Sequence, residues 1–400
     1  MKTNFTENNI TKSLVFIPSD TSWSWTVDVV RQTAIELAKR NNFVICYLRA
    51  DSFSWKDIFN FRKHIFMFKK YKKNIYLYNP FNFIPFGPQK FAEKINSFVN
   101  MFFIKVLFTI ISTQKKFRKK FFWIFDPDMV SFISFVGNDF YVIYDCVDFL
   151  TLGNKSEVIA TKNKEKLLCD LADLVVANSR VLLEHLKKYK KNVGLVPQGF
   201  RSQEFNIKKN KYINLGIKSP VIGFVGGLNN RLDTSILLSI VKNNPKWNFV
   251  LWGPIQESVK SGSDRISQLQ KILKYPNVFS GESRDKEEIP GIISQFDIGM
   301  IPYDISQDFN KYCYPMKLFE YFYFGKPVIS TDILELRNFP GLVTIKNTSQ
   351  GWNAGIKKIL SEKWSVKNIK QEKRLSKENS WEMKISKIGS YIKYFDKMPA

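Results

Sequence analysis

The sequence predicts an α/β chain built as two parallel-sheet domains across 400 residues. Three observations predict it. Short apolar runs such as Leu14–Pro18, Phe43–Leu48 and Val221–Val225 recur along the chain and read as strands buried on both faces. Amphipathic helical patterns lie between them, as βαβ units require. A polar stretch from Arg201 to Ser219 separates one such series from a second that starts at Pro220.

In the first series, Leu14–Pro18 is followed by the loop Ser19-Asp20-Thr-Ser-Trp23-Ser-Trp25. Val27 to Arg40 reads as a helix, with Val30, Ala34, Leu37 and Ala38 on its apolar side, and Asn41-Asn42 ends it. Phe43–Leu48 completes a βαβ unit. In such sheets the loop beyond the first strand lines the ligand crevice. Phe121–Phe125 and Tyr141–Tyr144 are further strands, and Asp145 and Asp148 come just past the second of these. Glu165–Ala172 reads as a helix, Asp173-Leu-Val-Val-Ala-Asn-Ser179 as a strand and a capped helix start, and Val193–Pro197 as the last strand.

The second series opens with Val221–Val225, then Gly226-Gly227, Arg231 and a helix from Thr234 to Val241. Glycines there let a ligand approach the backbone, a helix start attracts anions, and Arg231 can reach a phosphate. Phe249–Trp252, Asn277–Gly281, Phe296–Tyr303 and Val343–Ile345 supply further strands. Trp352–Leu360 is amphipathic. A last helix runs from Ser380 to Phe395, with Trp381, Ile385, Ile388, Ile392 and Phe395 at helical spacing.

The stretch Tyr314 to Thr331 carries the most chemistry. Pro315 suits a first helical turn, Met316–Phe324 reads as a short buried helix, Gly325 ends it and Pro327–Thr331 is a buried strand. Lys317 and Glu320 lie three apart and share a helix face. They either form a salt bridge on a structural helix or serve a ligand: a lysine at a helix start attracts phosphate, and a carboxylate one turn on accepts from paired sugar hydroxyls.

Pro315-x-Lys317-x-x-Glu320-Tyr followed by Gly325-Lys-Pro-Val-Ile-Ser-Thr331 resembles the nucleotide-sugar site of GT-B-fold glycosyltransferases of the bacterial polysaccharide-biosynthesis type, including the teichuronic acid transferases. The strand order from Pro220 to Ile345 resembles that family as well. The resemblance implies two Rossmann-like domains facing a cleft. Residues 1–200 would form an acceptor domain, 201–218 a linker, 219–375 a nucleotide-sugar domain, and 376–400 a helix returning to the first domain. It implies a donor site at Gly226, Gly227, Arg231, Tyr314, Met316, Lys317, Leu318 and Glu320. Asp20, Trp23 and Trp25 would meet the acceptor, although the two tryptophans equally fit simple packing. Retaining branches often carry a second acid eight positions before the glutamate; here that position is Tyr312, which leaves the stereochemical course open.

The family often has a catalytic His or Asp at the strand end that carries Asp145 and Asp148. With only His64, in a basic segment, and His185, read as a surface residue, a carboxylate base is expected: Asp148 first, Asp145 second and Asp20 next. Either of the first two could instead cap the loop. Asp126-Pro-Asp128 has the form of a metal-binding pair or of a plain loop turn. No metal and no cofactor are expected, the donor being a UDP- or GDP-linked sugar. A sugar-nucleotide epimerase of the same fold, or a non-catalytic binder of membrane or nucleic acid, is the alternative.

Composition bounds the rest. An apolar content of 44% excludes a disordered chain. The net charge is +25, and Phe53–Phe125 alone carries fifteen Lys or Arg against Asp57 and Glu93. Aromatic residues interleave those charges, which suits an anionic membrane surface better than nucleic acid, or reflects a solvated face. The polar start of the chain shows no signal peptide. Phe98–Ser112, interrupted by Asn100 and Lys105, reads as too short for the ~20 residues that span a bilayer. Four scattered cysteines fit a reduced compartment. The expectation is a cytoplasmic protein, peripheral on the inner face of the cell membrane, acting on a lipid-linked saccharide.

Overall fold

The computed structural model describes residues 10–24, 29–60, 66–84, 89–136, 138–148, 155–205, 213–255, 264–282 and 286–395. Trp25, His64 and the 206–212 part of the expected linker lie outside the described residues. The chain divides into two compact units: Met1–Pro197 with Trp381–Ala400, and Gln198–Ser380.

The first unit runs β1 (Leu14–Ser19), α1 (Val29–Lys39), β2 (Phe43–Leu48), β3 (Phe53–Ser54), α2 (Trp55–Phe59), β4 (Phe68–Lys72), β5 (Ile75–Tyr78), β6 (Phe81–Asn82), α3 (Gln89–Gln114), β7 (Lys120–Ile124), α4 (Ile133–Val136), β8 (Phe140–Cys146), α5 (Lys155–Leu171), β9 (Leu174–Ala177), α6 (Arg180–Leu186) and β10 (Val193–Leu195). Eight strands form one sheet in the order β10-β9-β8-β7-β1-β2-β5-β4, with β4 antiparallel to β5 and the other pairs parallel. The winding reverses between β1 and β7, so the crevice lies beyond the carboxyl ends of those two strands.

Strand parity sorts the core. Leu14 and Phe16 of β1 join Met101, Ile104 and Phe108 of α3 and Leu168 of α5 on one face. Val15 and Ile17 join Val30, Ala34 and Leu37 of α1 on the other. The helix Trp381–Phe395 at the end of the chain also lies on that second face, through Ile385, Ile388 and Ile392. β4 is an edge strand whose residues are all exposed, and Lys69, Lys70 and Lys72 on it discourage pairing with another sheet edge.

Three sequence expectations need correction here. β8 extends to Cys146, so Asp145 lies inside the strand rather than past its end. Parity aims it at the second face, where it is fully buried, accepts from Trp123 Nε1 at 3.3 Å and pairs with Lys384 of the last helix at 2.8 Å. His185 is not a surface residue: its Nε2 lies 2.6 Å from Glu165, which also accepts from the Tyr144 hydroxyl. The apolar helix around Phe98–Ser112 is α3 and begins well before Phe98. Phe91–Gln114 is long and apolar enough to cross a membrane by length and composition, yet a third of that window is buried against the unit.

The second unit runs β11 (Val221–Val225), α7 (Thr234–Asn243), β12 (Asn248–Trp252), α8 (Asp264–Ile272), β13 (Val278–Gly281), α9 (Ile289–Ser294), β14 (Ile298–Ile301), α10 (Asp308–Lys311), α11 (Lys317–Phe324), β15 (Val328–Ser330), β16 (Val343–Ile345), α12 (Ser349–Ser361) and α13 (Val366–Glu378), and the last helix, α14 (Trp381–Phe395), belongs to the first unit. Its six strands are all parallel in the order β13-β12-β11-β14-β15-β16. That is the doubly wound arrangement, with its reversal between β11 and β14.

α13 shows no apolar run in the sequence and is charged on its outer side. It packs on α11, where a Cβ at Gly325 would meet Ile369 at 2.7 Å. Glu372 of α13 is fully buried and accepts from Trp364 Nε1 at 3.2 Å. All four cysteines are buried, and none forms a disulfide.

Two stability predictions follow from these buried charges. Lys384→Met strands the Asp145 carboxylate in the core and should cost about 3–5 kcal/mol in urea unfolding, the scale for breaking a buried pair. Burial pushes the Glu372 carboxyl up to about 8 from its ordinary 4.5. The folded form therefore favours the neutral acid, and its contribution is complete below 4.5 and lost as pH rises through 8. Glu372→Gln should flatten the fall in Tm across that range, measured by thermal melts from pH 4 to pH 9; an unchanged slope would show that another group carries it.

Candidate functional site

In the second unit the site assembles at the reversal between β11 and β14. β11 ends at Val225, and Gly226 follows with φ +149°, in the region that favours glycine. A Cβ at Gly226 would stand 2.6 Å from the Lys317 ammonium, so the missing side chain lets Lys317 lie across the backbone turn. Gly253, after β12, closes the floor, since a Cβ there would strike the Gly226 carbonyl oxygen at 2.2 Å. The Gly226 N–H donates to the Trp252 carbonyl at 2.8 Å, which fixes the turn.

Lys317 comes from the first turn of α11. Pro315 and Met316 precede it, and Gly325 ends the helix in the left-handed conformation, as expected. Its ammonium stands 5.1 Å from the Phe224 ring centre and 6.0 Å from that of Tyr303. No ion pair joins it to Glu320 among the described residues. The Leu318 and Phe319 N–H groups bond to Pro315 and Met316 carbonyls, at 3.2 and 3.0 Å.

Arg231 is clamped beside it. Its guanidinium carbon lies 4.5 Å from both the Tyr303 and Phe309 ring centres, a cation stacked between two aromatic faces. Its Nε donates to Asn310 Oδ1 at 2.8 Å. Its backbone carbonyl accepts from the Asp304 N–H at 2.8 Å and from Asn310 Nδ2 at 3.2 Å. These contacts tie the loop after β11 to the loop after β14. They hold two cations around the single ring of Tyr303, above a glycine turn. Such a concave cationic surface suits a diphosphate.

Glu320 lies one turn along α11, and no described residue donates to its carboxylate. Burial raises its affinity for a proton, opposed by the charges of Lys317 and Arg201. A ligand offering hydroxyl donors would satisfy it. Leu318 is fully buried in the core and presents no side chain to a ligand, and Tyr314 packs edge-on against Phe319 at 5.6 Å. Met316 sits at the N-cap, and Gly227 is half-buried beside Gly226.

In the first unit, Asp20 follows β1 and Asp126 and Asp128 follow β7, so all three stand at the reversal of that sheet. Their carboxylate oxygens lie within 4.8 Å of one another. Oxygens so grouped are of the type that hard cations take. Arg49 already pairs with Asp20, and Lys164 pairs with Asp128 at 2.7 Å. Asp126 caps the turn that follows, accepting from the Asp128 N–H at 2.9 Å. Burial pushes the Asp20 carboxyl up to about 6, against the pull of Arg49. Asp148 is exposed beyond the carboxyl end of β8. Trp23 packs in the core at 5.0 Å from the Tyr71 ring, with its backbone N–H donating to the Asp51 carboxylate at 2.9 Å.

Sequence reasoning missed Arg49, Tyr303, Phe309 and Asn310. Tyr303 ends the stretch Phe296–Tyr303 read as a strand, which is a signal of position though not of role. Arg49, Phe309 and Asn310 belong to no motif and become visible only when strand order brings their loops together.

No family model matches this chain. Over 207 residues, 48% of its length, the chain is 28% identical to the Bacillus subtilis protein provisionally named teichuronic acid biosynthesis glycosyltransferase TuaH; the match spans 50% of that protein. Among solved structures it is similar to the sucrose-phosphate synthase of Thermosynechococcus elongatus, with a TM-score of 0.70 at 15% identity, covering 97% of this chain and all of the other. It is similar to a glycosyltransferase from Rickettsia africae, with a TM-score of 0.66 at 11% identity over 97% of this chain and 100% of the other. It is also similar to HepE from Anabaena, solved in complex with UDP and glucose, with a TM-score of 0.63 at 13% identity over the same shares. The chain has the GT-B fold.

Proposed function

We propose that this GT-B chain is a glycosyltransferase that takes a sugar from a nucleoside-diphosphate donor and passes it to an acceptor hydroxyl. The observation that carries the reading is the cationic turn of the second unit: Lys317 laid over Gly226, Arg231 stacked beside Tyr303, and Glu320 one turn away with no donor among the described residues. Lys317 and Arg231 would face the diphosphate, and Glu320 would accept from the ribose hydroxyls. As the glycosidic bond breaks, negative charge grows on the departing diphosphate, and both cations favour that charge. The similarity to TuaH and the likeness to a structure holding UDP and glucose support a nucleotide-sugar donor.

The first unit would take the acceptor and hold the general base. Asp148, exposed past β8, stays the first candidate. A second is favoured by a specific observation: Asp20 stands at the sheet reversal with its carboxyl pushed up to about 6, close to a neutral working pH where proton transfer is efficient. We place the acceptor among lipid-linked saccharides of cell-surface polysaccharide assembly, such as capsule or O-antigen, and the protein at the inner face of the cell membrane. The basic and aromatic character of Phe53–Phe125 supports this.

Titration with UDP and GDP tests the donor site. Glu320→Ala should weaken nucleotide binding by about 1.5–3 kcal/mol, the scale of hydrogen bonds to charged groups. Lys317→Ala should weaken diphosphates more than nucleosides. Equal calorimetric affinities in wild type and both variants would remove this turn from the donor site.

The base is tested by turnover of a nucleotide-sugar panel. Asp148→Asn should cut turnover by roughly 10²-fold with donor affinity kept. A base at Asp20 would instead make activity rise as pH increases through about 6, where it ionises, and Asp20→Asn would abolish that limb.

A further inference from the structure

We propose that the exposed face of α3 is the surface on which this protein lies against an anionic lipid bilayer. The proposal deepens the membrane-proximal part of the reading above and commits it to one helix.

α3 is two-faced. Ala92, Asn96, Asn100, Ile104, Phe108 and Ile111 are buried against the first unit. The opposite stripe is apolar and open: Phe91, Phe98, Phe102 and Ile110 are 61%, 60%, 59% and 49% exposed. Spacings of seven, four and eight residues along that stripe keep it on one side of the helix. An amphipathic helix normally turns charge outward on its free side. Here the free side is mainly phenyl and aliphatic, with exposed Lys105 and Thr109 set among the rings and exposed Lys94 beside them.

The patch continues beyond the helix. Trp55 of α2 packs on Phe81 at 4.8 Å, Phe81 on Phe83 at 4.6 Å, and Phe83 stacks with Phe103 of α3 at 6.1 Å. That chain of rings joins α3 to α2, where Trp55, Ile58 and Phe59 are also exposed. The link runs through Phe81, which is buried, so the exposed apolar groups of α3 and α2 are joined beneath the surface. Apolar side chains clustered on packed neighbours mark an interaction site, whereas scattered exposed residues do not.

Charge selects the occupant. Lys115 and Lys116 follow the end of α3 and are exposed. The Lys115 ammonium stands 4.6 Å from the Phe43 ring centre, Phe43 stacks on Tyr76, and Tyr76 stacks on Phe68 of β4. The lysines of β4 thus continue the basic border. Phenyl groups that enter the acyl boundary, ringed by lysines at headgroup level, fit a bilayer carrying anionic lipid.

The same helix is long enough to span, and its polar residues decide against spanning. Asn100 donates to the Phe81 carbonyl at 2.9 Å and accepts from the Phe81 N–H at 3.0 Å. Asn96 does the same with Ile84, at 3.1 and 3.0 Å. Insertion would strip both amides of these partners and expose the core beneath α3. The helix lies on the bilayer instead.

Flotation of the full chain with liposomes tests this. Vesicles of phosphatidylcholine with phosphatidylglycerol should carry the protein, and pure phosphatidylcholine should carry little. Phe98→Asp with Phe102→Asp should lower the bound fraction about tenfold or more, since two exposed rings no longer enter the acyl boundary. The melting curve and UDP or GDP affinity should stay unchanged, so loss of flotation is separable both from misfolding and from failure of the donor site. A second variant, with Gln at Lys94, Lys105, Lys115 and Lys116, should bind less at low salt and resemble wild type at high salt. Equal recovery on neutral and anionic vesicles would overturn the proposal, as would full flotation of the Asp variant. So would a dimer in sedimentation that the Asp variant disperses while wild type does not float, because the occupant would then be a second copy of the chain.

Discussion

The clearance above Gly226 is the constraint on which the donor side depends. A side chain at that position would meet the Lys317 ammonium, and a side chain at Gly253 would push the turn itself away. The two absences let α11 bring its lysine down onto the end of β11. The aromatic rings of Phe224 and Tyr303 keep the ammonium there without neutralising it. Arg231 is held by the same means, through ring faces and an amide, and so keeps its charge available. A surface built from ion pairs would have spent that charge internally. This one conserves it for an anion, and the Glu320 carboxylate, which no described residue donates to, sits one helical turn away.

The first unit shows how parity alone separates two neighbouring acids. Asp145 and Asp148 are three residues apart, but β8 does not end until Cys146. Asp145 therefore follows the alternation of the strand into the core beneath α14. Its partner Lys384 is distant in sequence and fully buried with it. A charge pair in that setting contributes little net stability, yet removing either member is costly, so it specifies where the terminal helix docks. Asp148 has left the strand and faces solvent. Asp20, Asp126 and Asp128 share the sheet reversal; burial, helped by repulsion from the other two and opposed by Arg49, pushes the Asp20 carboxyl up to about 6.

α3 joins fold and surface. Its two asparagines look like interruptions in an apolar run, and they are the groups that staple the loop Phe81–Ile84 to the helix. The hydrogen-bonding needs of that loop are met by the inner side of the helix, and the outer side carries mainly apolar groups. The result is an apolar ridge on a unit that is otherwise strongly basic.

The sequence by itself determined the class of the fold, the two βα series, the caps at Ser179 and Gly325, and the helix bearing Lys317 and Glu320. Those features are local: an apolar run of strand length, a glycine where φ must be positive, a three-residue spacing on one helix. The strands Phe43–Leu48 and Val221–Val225 match residue for residue. The end of β8, the start of α3 and the existence of α13 were not legible, because each depends on what the segment packs against. The highly charged α13 is a helix because α11 offers it a face. Only the tertiary structure decided that Asp145 belongs to a buried ion pair, that His185 is spoken for by Glu165, and that Arg231 stacks between Tyr303 and Phe309. Each of those outcomes is a meeting of residues far apart in the chain, set by strand order and side-chain parity, and no local pattern encodes either one.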